Sequence, residues 1–404
     1  MLSRIRSAIR REETVLRLGG DGYISSMTWT ADDRQLIAVL DGAGWPEIPQ
    51  DDYCNSRLFV LGGAPQMATI EEEVSSLPEL SLWKFLKGAA PYYAFSTLAV
   101  DGDIYQFMST ENKYGPDEKG DWGDFTDNNF THAKLIYSPD SGRTWRNHDG
   151  SALMSWESRQ SQSRENMVFF EQPEAAFAQL SFLQMGRAYR DNHDGYVYVY
   201  APNGRTEGTM NQLVMFRAPK EKILNCEAYE FFSGLRPDGS ANWTRNISAR
   251  QIVHTFPHGL VPTIWPLAWL PSVVYNPALG VFIMANSSGV SANCKASQAT
   301  YLGFWVAAHP WGPWRQIYEE VAWAPAGDPK ARATAPVMAP KWISGDGKSF
   351  WLAWTDVQQS TSQEIEEAMW RSQTFDEHLR LRRRWREFHP YFGFNAQRVD
   401  LEIS

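Results

Sequence analysis

The sequence predicts an all-β fold: a five-bladed β-propeller of four-stranded antiparallel blades, with short helical excursions. Three observations predict it. The 404-residue chain carries 18 Trp, 16 Tyr and 21 Phe, and aromatic residues favour strands. One unit recurs five times: an apolar strand, a tight polar turn, a second apolar strand. Each copy is followed by a second apolar stretch that reads as another hairpin, and two hairpins make one four-stranded sheet.

The copies are read in order. The first is SSMTWTADDRQLIAVLDG, Ser25 to Gly42, and the second is YAFSTLAVDGDIYQFMST, Tyr93 to Thr110. FLQMGRAYRDNHDGYVYVYAP ends at Pro202, PSVVYNPALGVFIMANSS follows, and APKWISGDGKSFWLAWTD ends at Asp356. Asp101-Gly102, Asp194-Gly195 and Asp346-Gly347 supply the positive φ that two-residue hairpins need. The period is irregular, about 70 to 90 residues, within the logic of repeat architectures. A pair of β-sandwiches would not require five alike units. The second hairpins are SRLFVLGGAP, AKLIYSPDSGRTW, QLVMFRAPKEKI, YLGFWVAAHPWGPWRQI and EAMWRSQTF.

Residues 1–14 read as an N-terminal extension, a short basic helix or a disordered arm, and 15–404 as one domain. Lys220 to Phe232 and Gln363 to Phe388 read as helical excursions; RLRRRW in the second reads as a solvated edge. The closing FGFNAQRVDLEI alternates as a strand does, and is placed to close the ring with an early strand.

Bulk properties exclude several classes. The net charge of −9 carries no basic face of the kind nucleic-acid binding uses. No stretch approaches the roughly 18 apolar residues of a membrane helix. Cys54, Cys226 and Cys294 have no zinc-type spacing and too low a count for a disulfide framework. MLSRIRSAIRREE lacks the apolar core of a signal peptide. A cytoplasmic location is therefore expected, or a secreted one if a leader has been removed.

One local motif is specific. Ser138-Pro139-Asp140-Ser141-Gly142-Arg143-Thr144-Trp145 matches the Asp-box pattern S-x-D-x-G-x-T-W, which sialidases and other propeller glycosidases carry away from their active sites. Asp140 caps turn amides, Gly142 takes a positive φ and Trp145 packs inward, so the motif speaks to fold.

Chemistry is expected where the inner hairpins converge at one end of the axis. Asp21 enters the first unit and Asp41 leaves it; each precedes a Gly and also reads as a turn residue. Glu111 and Asn112 leave the second unit, Arg187 lies in the third, Asn286 leaves the fourth and Asp356 the fifth. Carboxylates converging from different blades are what glycoside hydrolysis needs, one as proton donor and one as nucleophile or water activator. Trp29 and Trp269 are candidate stacking platforms for a sugar ring. No metal site or cofactor motif is present. A structural calcium in an axial channel is compatible with carboxylates there, without an EF-hand-like ligand run.

The opening GGDGYISSMTWTADDRQLIAVLDGAGW resembles the family of unknown function 4185. So do QLVMFRAPKEKILNCEAYEFFSG with NWTRN, SVVYNPALGVFIMAN, AAHPWGPWRQIY and APKWISGDGKSFWLAW. Together these segments run from about residue 15 to 356. The family includes endo-D-arabinofuranosidases acting on mycobacterial cell-wall arabinan, five-bladed propellers with paired Asp residues. The resemblance implies that Asp21 and Asp41 are the catalytic carboxylates and that the substrate is a carbohydrate. Two other readings stay open. A polysaccharide lyase on the same scaffold would use Arg187 with Tyr189, and a non-catalytic propeller would bind a sugar or a protein partner.

Overall fold

The structure is a computed structural model describing residues 4–45, 54–74, 77–78, 90–112, 130–204, 209–256, 270–288, 300–328, 331–356, 361–388 and 392–404. Five consecutive antiparallel runs of strands account for nearly all of the regular structure. The first holds β3 (Asp21–Trp29), β4 (Gln35–Gly44), β5 (Cys54–Gly62) and β6 (Thr69–Glu73). The second holds β7 (Tyr92–Val100), β8 (Asp103–Asn112), β9 (Phe130–Ser138) and β10 (Arg146–Asn147). The third holds β11 (Ser181–Gln184), β12 (Tyr196–Pro202), β13 (Gln212–Pro219), β14 (Glu230–Leu235) and β15 (Ala241–Thr244), with β16 (His254–Thr255) beside β13. The fourth holds β17 (Ser272–Asn276), β18 (Val281–Ser288), β19 (Thr300–Ala307) and β20 (Arg315–Trp323). The fifth holds β21 (Ala333–Met338), β22 (Ser349–Asp356) and β23 (Phe394–Ile403). Two strands from the N-terminus, β1 (Ile5–Arg10) and β2 (Leu16–Gly19), pair with β23.

Burial within a run explains its composition. The leading strand β7, YYAFSTLAV, is buried at every position, whereas the outer strand β6, TIEEE, is exposed at three of its five positions and half-buried at the other two. A leading strand covered on both faces cannot alternate apolar with charged residues, and it fills its polar positions with Ser and Thr instead. Those hydroxyls, with Thr355 of β22, join one run to the next. Ser25 Oγ donates to the Ala94 carbonyl at 2.8 Å, and Ala99 N donates to Thr28 Oγ1 at 2.8 Å. Phe182 N donates to Ser96 Oγ at 2.7 Å, Met338 N to Ser272 Oγ at 2.9 Å, and Ile24 N to Thr355 Oγ1 at 2.8 Å. Between β11 and β17 the contact is a parallel ladder, Leu183 with Val273, which merges the third and fourth runs into one hydrogen-bonded sheet. The leading strands thus lie side by side in chain order, and β21 returns to lie against β3. The apolar cores follow the same cycle. One joins the first and second runs through Leu36, Leu58, Ile104 and Ile136, and another joins the fifth to the first through Ile37, Met27, Val337 and Trp351.

Three sequence expectations change. The expected 1–14 extension supplies β1, which lies outside β23 with Ala8 opposite Leu401, because Ile5 and Ala8 have an apolar edge to cover. KEKILNCEAYEFF is not one helix. Two short 3-10 turns, Lys220–Lys222 and Cys226–Ala228, lead into β14. EAMWRSQTF is not a hairpin; it belongs to a helical pair, α1 (Gln363–Arg371) and α2 (Phe375–Arg386), inserted between β22 and β23. Thr374 caps α2, its Oγ1 accepting from Glu377 N at 3.2 Å. The pair buries Ile365, Met369 and Trp385 with Phe392, and Tyr23 packs at its margin. Among the described residues no helix is long and apolar enough to cross a membrane.

The β9–β10 turn carries the Ser138–Trp145 motif. Asp140 accepts from Thr144 N at 2.8 Å and Thr144 Oγ1 at 2.7 Å, and Ser138 Oγ donates to it at 2.9 Å. Ser141 and Gly142 stand at φ 64° and 97°, and Trp145 is buried.

Candidate active site

Strand direction decides which residues can meet. The second strand of a run ends beside the beginning of its leading strand. Gly44 opposes Asp21, Thr110 opposes Tyr92, Ala285 opposes Ser272, and Asp356 opposes Ala333. By strand direction Asp21, Asp41, Glu111, Asn112, Asn286 and Asp356 stand at the same end of their runs.

An irregularity brings the backbone that follows Asp41 onto Asp21. Between the pairs Asp21–Gly44 and Tyr23–Leu40, β3 has one residue and β4 has three. This bulge folds Asp41 over the start of β3, with its backbone at φ 52°. Gly42 touches the Asp21 main chain so closely that a Cβ there would lie 1.8 Å from the Asp21 carbonyl oxygen. Ala43 N, the next residue, donates to Asp21 Oδ2 at 2.8 Å. The Asp21 side chain is 1% exposed, and Asp41 is partly exposed.

Two arginines of α2 complete the arrangement. Arg382 Nε donates to Asp21 Oδ2 at 3.2 Å and Arg382 Nη2 to Oδ1 at 3.3 Å, a bidentate pair. The same Nη2 donates to the Asp41 carbonyl. Arg386 Nη1, one turn on, lies 3.6 Å from Asp21 Oδ2. Trp385 lies under the Arg382 guanidinium at 5.8 Å. Tyr23, beside Asp21 on β3, packs edge-on against Phe392 at 5.7 Å.

A third carboxylate, Asp356, is fully buried at the end of β22. It accepts from Arg332 N at 2.9 Å and from Arg17 Nη1 at 3.3 Å, and Arg17 also donates to Asn395 Oδ1 at 2.9 Å. Burial pushes its carboxyl up to about 6, against the lowering effect of Arg332 N and Arg17. Asn286 is 1% exposed; its Oδ1 accepts from Ser287 N, and its Nδ2 has no partner among the described residues. Glu111 and Asn112 form the last two positions of β8.

At the head of β7 stands a second polar group. Lys134, fully buried on β9, is paired with Glu157, and the Tyr92 hydroxyl donates to the Glu157 carbonyl at 3.0 Å. Gln162 links Tyr92 at 3.1 Å to His132 at 2.7 Å, and Trp156 stacks on Tyr92 at 4.7 Å. Among the described residues no three His, Cys, Asp or Glu side chains converge as a metal site.

Arg187 is not part of this end. It follows β11, and its Nε and Nη2 donate to the Ala31 carbonyl at 3.1 and 2.7 Å, at the far turn of the first run. Tyr189 is wholly buried with its hydroxyl accepting from Tyr198 N at 3.3 Å, so the Arg187–Tyr189 lyase pair does not assemble at the candidate site. Trp29 is also at the far turn, donating to Asp33 Oδ1 at 2.8 Å. Trp269 lies outside the described residues. Arg382, Arg386 and Arg17 were missed. The available signal was Arg382 and Arg386 at i, i+4 flanking Trp385, which puts two guanidiniums on the side of α2 that carries its buried tryptophan.

No curated protein is significantly similar in sequence. Among solved structures, the catalytic domain of the Coprinopsis cinerea GH62 α-L-arabinofuranosidase is 9% identical, with 99% of this chain and 98% of that one covered and a TM-score of 0.45. The α-L-arabinofuranosidase PaAbf62A from Podospora anserina is 9% identical, with coverage of 95% and 92% and a TM-score of 0.43. The xylan β-1,4-xylosidase from Bacillus halodurans C-125 is 10% identical over 85% of this chain, at a TM-score of 0.44. The chain spans about half the length of that xylosidase. These are loose resemblances of shape, and no residue role is taken from them. A sequence-family model described as Domain of unknown function (DUF4185) matches residues 95–359, a span that includes Glu111, Asn112, Asn286 and Asp356 and begins after Asp21 and Asp41. With well over half its length matched, the chain belongs to the DUF4185 family.

Proposed function

We propose that the chain is a glycoside hydrolase built as a five-bladed β-propeller, cleaving a poly- or oligosaccharide of the arabinofuranoside class with Asp21 and Asp41. The five runs are the blades. Support comes from the leading strands, which follow one another and return to the first, with a core between the last run and the first.

One observation carries the chemistry: a single guanidinium binds the Asp21 carboxylate and the main-chain carbonyl of Asp41 at the end where the second strands finish. Glycoside cleavage passes through an oxocarbenium-like state and needs an anionic carboxylate and a proton-transferring one. Asp21, paired with two arginines, suits the anionic role. Asp41 reaches solvent and suits proton transfer. The Nδ2 of Asn286, without a partner among the described residues, suits a substrate hydroxyl, and Glu111, Asn112 and Asp356 end strands at the same end.

The test is reducing-sugar release from a panel of plant and bacterial polysaccharides, mycobacterial arabinogalactan included, by wild type, Asp21→Asn and Asp41→Asn. Ultraviolet absorbance is recorded in the same tubes to detect an unsaturated lyase product. The proposal expects release by wild type, a loss of about 10³-fold or more in each folded variant, and no absorbance rise. Activity surviving both substitutions would remove the pair from the mechanism.

A further inference from the structure

We propose that Arg382, on the helical pair inserted between β22 and β23, is a positioning residue that sets the geometry between Asp21 and Asp41; this rests on the hydrolase reading above. Arg382 lies 361 positions from Asp21 in the chain. It reaches across from the fifth run to the first, and its fork makes three contacts there: both oxygens of Asp21 and the main-chain carbonyl of Asp41.

The third contact distinguishes positioning from a plain ion pair. Asp41 sits on a bulge in the left-handed region, a conformation that a non-glycine residue keeps only when its surroundings hold it. Ala43 N holds one flank of that bulge to the Asp21 carboxylate, and Arg382 holds the other flank to the same carboxylate. The guanidinium is therefore a rigid spacer between the Asp21 carboxylate and the Asp41 main chain. A lysine carries the charge without the planar fork and cannot reproduce all three contacts. The helical pair has separate attachments: Tyr23 of β3 packs against Phe392 at the margin of the Trp385, Met369 and Ile365 cluster, and Arg386 lies beside Asp21. Loss of the guanidinium therefore frees the bulge and leaves the helical pair docked.

The experiment compares wild type, Arg382→Ala, Arg382→Lys and Asp21→Asn in full-length protein, by hydrogen exchange and by turnover of mycobacterial arabinogalactan. In Arg382→Ala, exchange at residues 42–44 rises about tenfold or more while residues 363–386 keep their protection, the pattern of a local opening. kcat falls about 10²-fold, the scale of a misplacement near 1 Å, with KM little changed. Free guanidinium restores part of the kcat of Arg382→Ala, and Arg382→Lys restores less than the native side chain. Unchanged exchange at 42–44 overturns the proposal whether or not the polysaccharide is cleaved. Loss of protection throughout 363–386 also overturns it, since Arg382 would then be a staple for the helices. A wild type that cleaves, with Asp21→Asn inactive and Arg382→Ala at full rate, overturns positioning and leaves the hydrolase reading standing. A wild type that cleaves nothing, with exchange at 42–44 raised, fails the hydrolase reading and upholds the spacer.

Discussion

Asp356 makes acid conditions stabilising, and its substitution by Asn isolates the effect. The carboxyl is fully buried and pushed from an ordinary 3.8 up to about 6, with burial the largest cause. Its folded pKa lies above its unfolded one, the reverse of the usual carboxylate case. Between pH 3.8 and about 6 the folded state holds a proton that the unfolded state has released, so stability falls as pH rises through that window and then levels off. Two units at about 1.4 kcal/mol each give about 3 kcal/mol between the two plateaus. Asp356→Asn removes the ionisation and keeps an acceptor for Arg332 N. Arg17 keeps Asn395, and its attraction for the Asp356 carboxylate is already contained in the value of about 6. The variant is therefore expected to be more stable than wild type by about 3 kcal/mol at pH 7. The advantage shrinks as pH falls through the window and vanishes below it, where wild type carries a neutral carboxyl. Urea midpoints from tryptophan fluorescence at several pH values read this directly, as a midpoint difference of about 0.6 M at neutral pH for a chain this size. His254 gives wild type an opposing slope. Burial lowers its pKa to about 4, so stability rises with pH between about 4 and 6.5. That slope is common to both proteins and cancels in their difference. Parallel midpoint curves for wild type and Asp356→Asn would refute the assignment of a buried, neutral carboxyl at low pH.

Two further substitutions test the placement of the site and of the turn at the far end. Gly42→Ala places a methyl 1.8 Å from the Asp21 carbonyl oxygen and 2.3 Å from its carbon, both rigid main chain. It is expected to cost about 3 kcal/mol in urea unfolding, whereas Gly102→Ala, with nothing within 4 Å, changes stability by about 0.5 kcal/mol at most. Equal midpoints for the two variants would mean that the β4 bulge is not packed as described. Asp140→Ala removes acceptors for Thr144 N, Thr144 Oγ1 and Ser138 Oγ. It is expected to lower stability by about 2 kcal/mol and leave any polysaccharide cleavage intact, because the β9–β10 turn lies at the end away from Asp21. A matching loss of cleavage in the folded variant would join that turn to the site.

The strands were legible because the same local physics repeats. Alternating apolar stretches and Asp-Gly turns carry their own geometry, and Asp101 does adopt φ 52° in a two-residue turn between Val100 and Asp103. Misreadings fell where local pattern serves two structures. EAMWRSQTF has the aromatic and apolar content of a strand, yet Ile365 and Met369 stand at helical spacing and meet Trp385 only after α2 folds back. The N-terminal IRSAIR looks like a charged arm until β23 offers Ile5 and Ala8 a partner, and nothing near residue 5 in the sequence announces a strand near residue 400.

The site was legible in part for the same reason. Asp21 and Asp41 share a hairpin, so the repeat alone placed them at one end. The arginines did not share it, and two of them were assigned to the wrong surroundings. Arg187 follows a leading strand, so it reaches the far turn and spends its donors on the Ala31 carbonyl. Arg382 sits in a run of charge that by composition belongs in solvent, yet one side of α2 carries it with Trp385 into the protein. A guanidinium has no intrinsic address: its role follows from which strand ends its helix or loop delivers it to. Here that is settled by how the fifth run meets the first. Arg382 meets Asp21 beside the junction where β21 lies against β3, so the Asp21 carboxylate takes its cation from a residue 361 positions away in the chain.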